Sequence, residues 1–288
     1  MVKVLVTGGD GQLGHCLRAI TERFENIQFL FTNKTELDIT QKTNIDDFFT
    51  LNNFDWCINC AAYTAVDKAE SEIESSKKIN VTGVKNLAEA CLKHDIKIIH
   101  ISTDFVFDGT QNRAYKEDVL TNPLGVYGNT KLGGENELKK ICSKHFIIRT
   151  SWLYSEFNQN FMKTMLRLAK DKEELNIVSD QIGSPTYARD LAEVIMLIIN
   201  RDSSDYGLYH YSNEGVASWY DFAKAIFDLN SNTVKVIPVP TESYPTPSKR
   251  PHFSVLDKTK IKTTFNIEVP YWRDSLKYAL SNLELVKI

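Results

Sequence analysis

Through the first half of this chain, short runs of β-branched and aromatic residues alternate with longer stretches whose apolar positions recur at helical spacing. Residues 3–7, 27–32, 55–61, 96–102 and 146–150 read as strands, and 12–23, 45–51, 67–94 and 126–142 as helices. Strands separated by helices imply parallel pairing through right-handed crossovers, hence an open, doubly wound α/β sheet. The nearly unbroken apolar run Ile96-Lys97-Ile98-Ile99-His100-Ile101 suits a strand covered on both faces.

Past residue 150 the pattern loosens. Helices are expected over 160–170, 189–199 and 219–229, short strands over 175–179 and 208–212, and a turn-rich loop over 181–186. Pro238, Pro240, Pro245, Pro247 and Pro251 mark an extended surface or site-lining segment. The division expected is a dinucleotide-binding unit over 1–150 and a mainly substrate-binding, smaller α+β unit over 151–288, with some later elements returning to the first.

Composition narrows the class without naming the chemistry. With 42% hydrophobic and 25% charged residues in 288, the chain can bury a large core. A net charge of −3 argues against nucleic acid as an obligatory partner. No apolar run approaches the ~20 residues of a membrane span. Val2-Lys3-Val4-Leu5-Val6 runs straight into glycines with no leader pattern, so a cytoplasmic location is expected. Cys16, Cys57, Cys60, Cys91 and Cys142 suggest no disulfide framework, and Cys57-Ile58-Asn59-Cys60 reads as buried strand rather than a redox or metal pair.

The chemistry starts at Gly8-Gly9-Asp10-Gly11-Gln12-Leu13-Gly14, which follows the first strand and opens the first helix. Of the glycines at 8, 11 and 14, one permits the tight turn, one lets a pyrophosphate approach the main chain, and one lets helix and sheet pack closely. The helix N-terminus then offers unpaired amides and a positive dipole end to phosphates. The fold expected is therefore of Rossmann type, with a nicotinamide cofactor. After the second strand, Thr32-Asn33-Lys34 has no carboxylate until Glu36, and Lys34 can pair with a 2′-phosphate. NADPH is expected, with NADH allowed. Asp38 and Ile39 are expected beside the adenine, and Ala61, Ala62 and Tyr63 along the cofactor's middle.

A reaction centre follows. Tyr127 and Lys131 lie four residues apart, on one face of a helix, and Thr103 ends an apolar strand. A ketone accepting hydride develops negative charge on oxygen, which hydroxyl donors stabilise. Tyr127 would donate the proton, Thr103 would orient the carbonyl, and the Lys131 ammonium would lower the phenol's pKa and hold the nicotinamide ribose.

Together these segments resemble the extended short-chain dehydrogenase/reductases, and within them the dTDP-4-dehydrorhamnose reductase branch. The more specific carriers are Ala65-Val66-Asp67-Lys68-Ala69-Glu70 and Gln181-Ile182-Gly183-Ser184-Pro185-Thr186. To these add Ser102-Thr103-Asp104-Phe105, Arg149-Thr150-Ser151-Trp152 and Arg250-Pro251. The resemblance implies NAD(P)H-dependent reduction of the C4 ketone of dTDP-4-dehydro-L-rhamnose to dTDP-L-rhamnose. It implies Thr103, Tyr127 and Lys131 as the catalytic set, and Thr64, Val66, Thr103, Asp104 and Phe105 around the sugar. Trp152 becomes a substrate contact, with a core tryptophan the alternative, and Arg250 a pyrophosphate ligand, with a surface charge the alternative.

The chain also departs from the pattern. Phe105 stands where many members carry tyrosine, so a hydroxyl contact to the sugar is missing. Some members dimerise through magnesium held by glutamates, but His15-Cys16 stands where such a glutamate is expected; a homodimer is allowed and no metal is carried over. The same branch is similar to the non-catalytic β subunit of methionine adenosyltransferase, so a cofactor-binding regulatory subunit is a second reading. A reductase of another nucleotide-linked 4-keto-6-deoxyhexose is a third.

Overall fold

A computed structural model describes residues 1–286; the last two positions of the expected 151–288 unit lie outside them. In chain order the first half runs β1 (Val2–Thr7), α1 (Gln12–Arg18), β2 (Ile27–Thr32), α2 (Lys42–Leu51), β3 (Trp56–Asn59), α3 (Val66–Ala69), α4 (Ile73–Lys77), α5 (Val84–Lys93), β4 (Lys97–Thr103), α6 (Val126–Ile141) and β5 (His145–Thr150). The second half adds β6 (Leu153–Tyr154), α7 (Phe161–Leu168), β7 (Glu174–Val178), β8 (Ile182–Gly183), β9 (Thr186–Tyr187), α8 (Ala188–Asn200) and β10 (Gly207–His210). It closes with β11 (Ala217–Ser218), α9 (Trp219–Leu229), β12 (Lys235–Val239), α10 (Thr259–Phe265) and α11 (Trp272–Val286).

Six parallel strands form the central sheet in the order β10-β5-β4-β3-β1-β2. The alternation along β1 shows why it sits in the middle. Val4 and Val6 face one core with Leu17 of α1 and Leu191 and Ile195 of α8, while Leu5 faces the other with Phe49, Leu87 and Leu138. Both faces are dry, which is what a parallel sheet requires. Because the strand order reverses at β1, with β2 on one side and β3 on the other, the connections after these strands leave in opposite directions and a crevice opens beyond their C-terminal ends. Elements past residue 150 return to this body: β10 pairs with β5, and α8 packs on α1. A further core gathers α7, α9, α11 and the β7–β12 pair.

Two helices differ from expectation. The stretch 12–23 is helical only to Arg18 and then turns as a 3₁₀ segment, Thr21–Arg23. The stretch 67–94 is broken into α3, α4, a π-helical turn at Lys78–Gly83, and α5. At the π turn the Asn80 side chain accepts from the Tyr63 amide (2.9 Å) and donates to the Tyr63 carbonyl (3.1 Å). Helical periodicity carries no sign of this, because the widened turn answers to a loop elsewhere in the chain. No described helix is long and apolar enough to cross a membrane.

Helix α6 is tied to the sheet by buried charge. Arg149 on β5 grips Glu135 with two parallel bonds, Nε to Oε1 at 2.8 Å and Nη2 to Oε2 at 2.7 Å. Ser102 of β4 donates to Oε1 (2.6 Å) and Lys139 to Oε2 (3.1 Å). Burial alone would raise the Glu135 carboxyl, yet the Arg149 guanidinium holds it below the usual range. Since Glu135 is 0% exposed, Arg149→Met leaves its carboxylate buried with only Ser102 and the partly exposed Lys139 as partners and should cost about 3 kcal/mol of stability, read by urea denaturation. A loss below about 1 kcal/mol would show that the pair is dispensable.

Candidate active site

The crevice is a cavity of about 780 Å³. Its floor is the turn after β1. Gly8 has φ +65°, and a Cβ there would lie 2.6 Å from the Ala61 nitrogen, so glycine is needed for both backbone conformation and approach. Gly8, Gly11, Gln12 and Leu13 line the cavity. Gly14 does not; a Cβ there would sit 2.5 Å from the Gly9 carbonyl oxygen, so it lets α1 pack on the turn. The later chain is bolted onto this turn. Gln12 Oε1 accepts from Ser155 Oγ (3.0 Å) and Asn160 Nδ2 (2.9 Å), and Asn158 Nδ2 donates to the Asp10 carbonyl (2.7 Å).

At one end Asn33, Lys34, Asp38 and Ile39 line the wall. Glu36 is turned back on its own loop, where its carboxylate accepts from the Asn33 amide at 2.8 Å. This end of the cavity therefore presents the exposed Lys34 ammonium, with Asp38 as the carboxylate that lines it. Along the middle run Ala61, Ala62, Thr64 and Val66. Tyr63 departs from expectation: its phenol donates to Glu72 (2.9 Å) and its backbone is held by Asn80, which takes the ring off the cavity wall.

Thr103, Asp104, Phe105, Tyr127 and Lys131 converge on the same cavity. Thr103 ends β4, accepts from the Phe105 amide (3.2 Å) and donates to Asp104 Oδ1 (3.1 Å). The Tyr127 ring lies beside this segment and lines the same cavity. The close fit comes from Gly128, where a Cβ would stand 2.2 Å from the Phe105 carbonyl oxygen. Phe105 lies edge-on to Tyr127, with ring centroids 5.6 Å apart. Lys131, 2% exposed, donates to the Ile101 carbonyl at 2.7 Å.

The electrostatics differ from the expected pattern. Burial pushes the Tyr127 phenol up to about 12, against the Thr103 hydrogen bond and aided by Asp104. Burial strains the Lys131 ammonium too and lowers it to about 8, with Glu135 and Cys60 opposing. Asp104 rises to about 6 through burial, and among the described residues its Oδ2 has no hydrogen-bond partner.

The far wall pairs residues distant in sequence. Trp152 and Trp219 stack with centroids 3.6 Å apart and planes 6° from parallel, and both line the cavity. Trp152 holds φ +48°, a strained backbone for a bulky residue. Gly183 makes room for its indole, since a Cβ would lie 2.7 Å from Trp152 Cε2. Trp219 was read only as a helix start; nothing near it in the sequence indicates a site. Arg250 also lines the cavity, its guanidinium held by both oxygens of Asp67 at 3.1 and 2.8 Å.

Known proteins share this sequence and fold. The RmlD substrate binding domain family matches residues 2–285. The chain belongs to that family. The dTDP-4-dehydrorhamnose reductase of Aggregatibacter actinomycetemcomitans is 43% identical over 96% of this chain and 98% of its own. Crystal structures described as dTDP-4-dehydrorhamnose reductases superpose closely. The Clostridium acetobutylicum protein has TM-score 0.94 at 41% identity and covers all of both chains; that of Bacillus anthracis, in complex with NADP, has 0.93 at 38%, covering 98% of this chain and 100% of its own.

Within the RmlD substrate binding domain family, this member joins its glycine turn and its Tyr127–Lys131 face in one cavity, where Lys131 is held as a buried ammonium. Its folded-state pKa lies near 8 against a usual 10.5. The penalty for the buried ammonium is thus full below pH 8 and is relieved as pH rises toward 10.5. Lys131→Met should stabilise the fold by about 1–2 kcal/mol at pH 7, a gain that shrinks between pH 8 and 10 in denaturation experiments. A variant less stable than wild type across that range would contradict this account.

Proposed function

We propose that this chain reduces the C4 ketone of dTDP-4-dehydro-L-rhamnose to the C4 alcohol with NADPH, yielding dTDP-L-rhamnose. The observation that carries the reading is the convergence of Thr103, Tyr127 and Lys131 with the glycine turn in one cavity, in a chain similar along its whole length to dTDP-4-dehydrorhamnose reductases. The cavity residues suit the cofactor. The approach at Gly8 and Gly11 leaves backbone open to a pyrophosphate, and Lys34 offers charge to a 2′-phosphate with Glu36 turned away. All five cysteines are free thiols, which suits a reducing cytoplasm.

Bound NADPH supplies the hydride to the ketone carbon. The protein's part is placement and the proton. With its pKa near 12, Tyr127 enters as a neutral acid and gives its phenolic proton to the oxygen as the C–O bond becomes single. The ammonium of Lys131, still largely protonated at neutral pH, favours the resulting phenolate. Thr103 orients the carbonyl through its hydroxyl. Phe105 shields the phenol and makes no hydrogen bond with its side chain. The stacked Trp152–Trp219 wall offers an apolar face to a sugar ring, and Arg250 a fork to the diphosphate.

In an NADPH-oxidation assay over a panel of nucleotide-linked 4-keto sugars, dTDP-4-dehydro-L-rhamnose should be preferred. Tyr127→Phe should lower turnover by about 10²–10⁴ while NADPH binding persists; near-wild-type turnover would sink the assignment. Lys34→Ala should weaken NADPH binding about tenfold and leave NADH unchanged. Equal effects on the two cofactors would remove the 2′-phosphate role.

A further inference from the structure

The helix that carries Tyr127 and Lys131 lacks a cap of its own. An α-helix leaves its first amides without intrahelical partners, and a side-chain oxygen at the N-cap normally satisfies one of them. The N-cap of α6 is Gly125, which has no side chain to offer. The missing acceptor comes from elsewhere: Glu70, at the end of α3, accepts from the Val126 amide through Oε1 at 2.9 Å. Val126 directly precedes Tyr127.

The site is shaped for this contact. A Cβ on Gly125 would fall 2.5 Å from Glu70 Oε1 and 2.8 Å from Ser248 Oγ, so only glycine leaves the carboxylate room. The conformation of Gly125, at φ −143°, is open to any residue, and the glycine is therefore needed for space rather than for backbone freedom. A carboxylate at a helix N-terminus also interacts favourably with the helix dipole. The short helix α3 serves a second purpose, since Asp67, a few residues earlier, holds Arg250.

We infer that Glu70 is a positioning residue: by capping α6 from α3 it sets the first turn of that helix, and so the place of the Tyr127 phenol against Thr103. The inference rests on Tyr127 as the proton donor. Small displacements of a reacting group are costly, about a hundredfold for a shift of about 1 Å. A loosened first turn lowers the rate of the chemical step without removing any group that binds substrate or cofactor.

The test uses the full-length protein with Glu70→Ala, Glu70→Gln, Gly125→Ala and Tyr127→Phe. Glu70→Ala should lower kcat about tenfold, leave both KM values nearly unchanged, and speed amide exchange at Val126 and Tyr127. Glu70→Gln, which keeps the acceptor oxygen, should restore most of kcat and of the amide protection. Gly125→Ala, which pushes the carboxylate away while Glu70 itself remains, should reproduce Glu70→Ala. Wild-type kcat in Glu70→Ala, or a Glu70→Gln no better than it, overturns this inference alone. Retained turnover in Tyr127→Phe overturns the site reading and this inference with it.

Discussion

Helix α6 buries an ammonium and a carboxylate one turn apart, Lys131 and Glu135, at 2% and 0% exposure. Neither charge is stable away from water without partners, and the surrounding elements are arranged to supply them. Arg149 on β5 and Ser102 on β4 satisfy the carboxylate, and the Ile101 carbonyl receives the ammonium. These bonds fix the rotation of α6 about its axis as well as its position. A helix so pinned carries Tyr127, one turn earlier, to a set place above the end of β4. The proposed reaction centre is thus held by the electrostatics beneath it.

The second constraint is steric. The cavity exists because backbone meets backbone where glycines allow it. Gly8 abuts Ala61, Gly128 abuts the Phe105 carbonyl, and Gly134 abuts the Asn80 carbonyl, where a Cβ would lie 2.2 Å away. Each contact joins segments far apart in the chain. The π turn at Lys78–Gly83 belongs with them, because it lets Asn80 reach both the Tyr63 backbone and Thr130 on α6. The cavity-lining loop around Tyr63 and helix α6 are thereby held by one side chain.

Family membership and geometry constrain different things. The whole-length similarity to dTDP-4-dehydrorhamnose reductases bears on the reaction and its cofactor. The details that belong to this chain come from its own packing. The Trp152–Trp219 stack, the Asp67–Arg250 pair and the Glu70 cap each join residues from different elements. Thr103, Tyr127 and Lys131 were legible beforehand because their spacing is local: a strand end, and two positions one helical turn apart.

By itself the sequence determined the strand and helix alternation of the first half, the glycine turn, and the residue types proposed for a ketone-reducing site. These rest on periodicity and on local steric rules, which act over a few residues. Tertiary structure alone decided that β10 joins the central sheet, that residues 67–94 break into separate helices, and that Trp219 meets Trp152. It also decided the sign of the charge effects. The Tyr127–Lys131 spacing alone suggested a lowered phenol, whereas burial raises the phenol and lowers the ammonium. Desolvation depends on everything packed around a group, and no short segment of sequence carries that information.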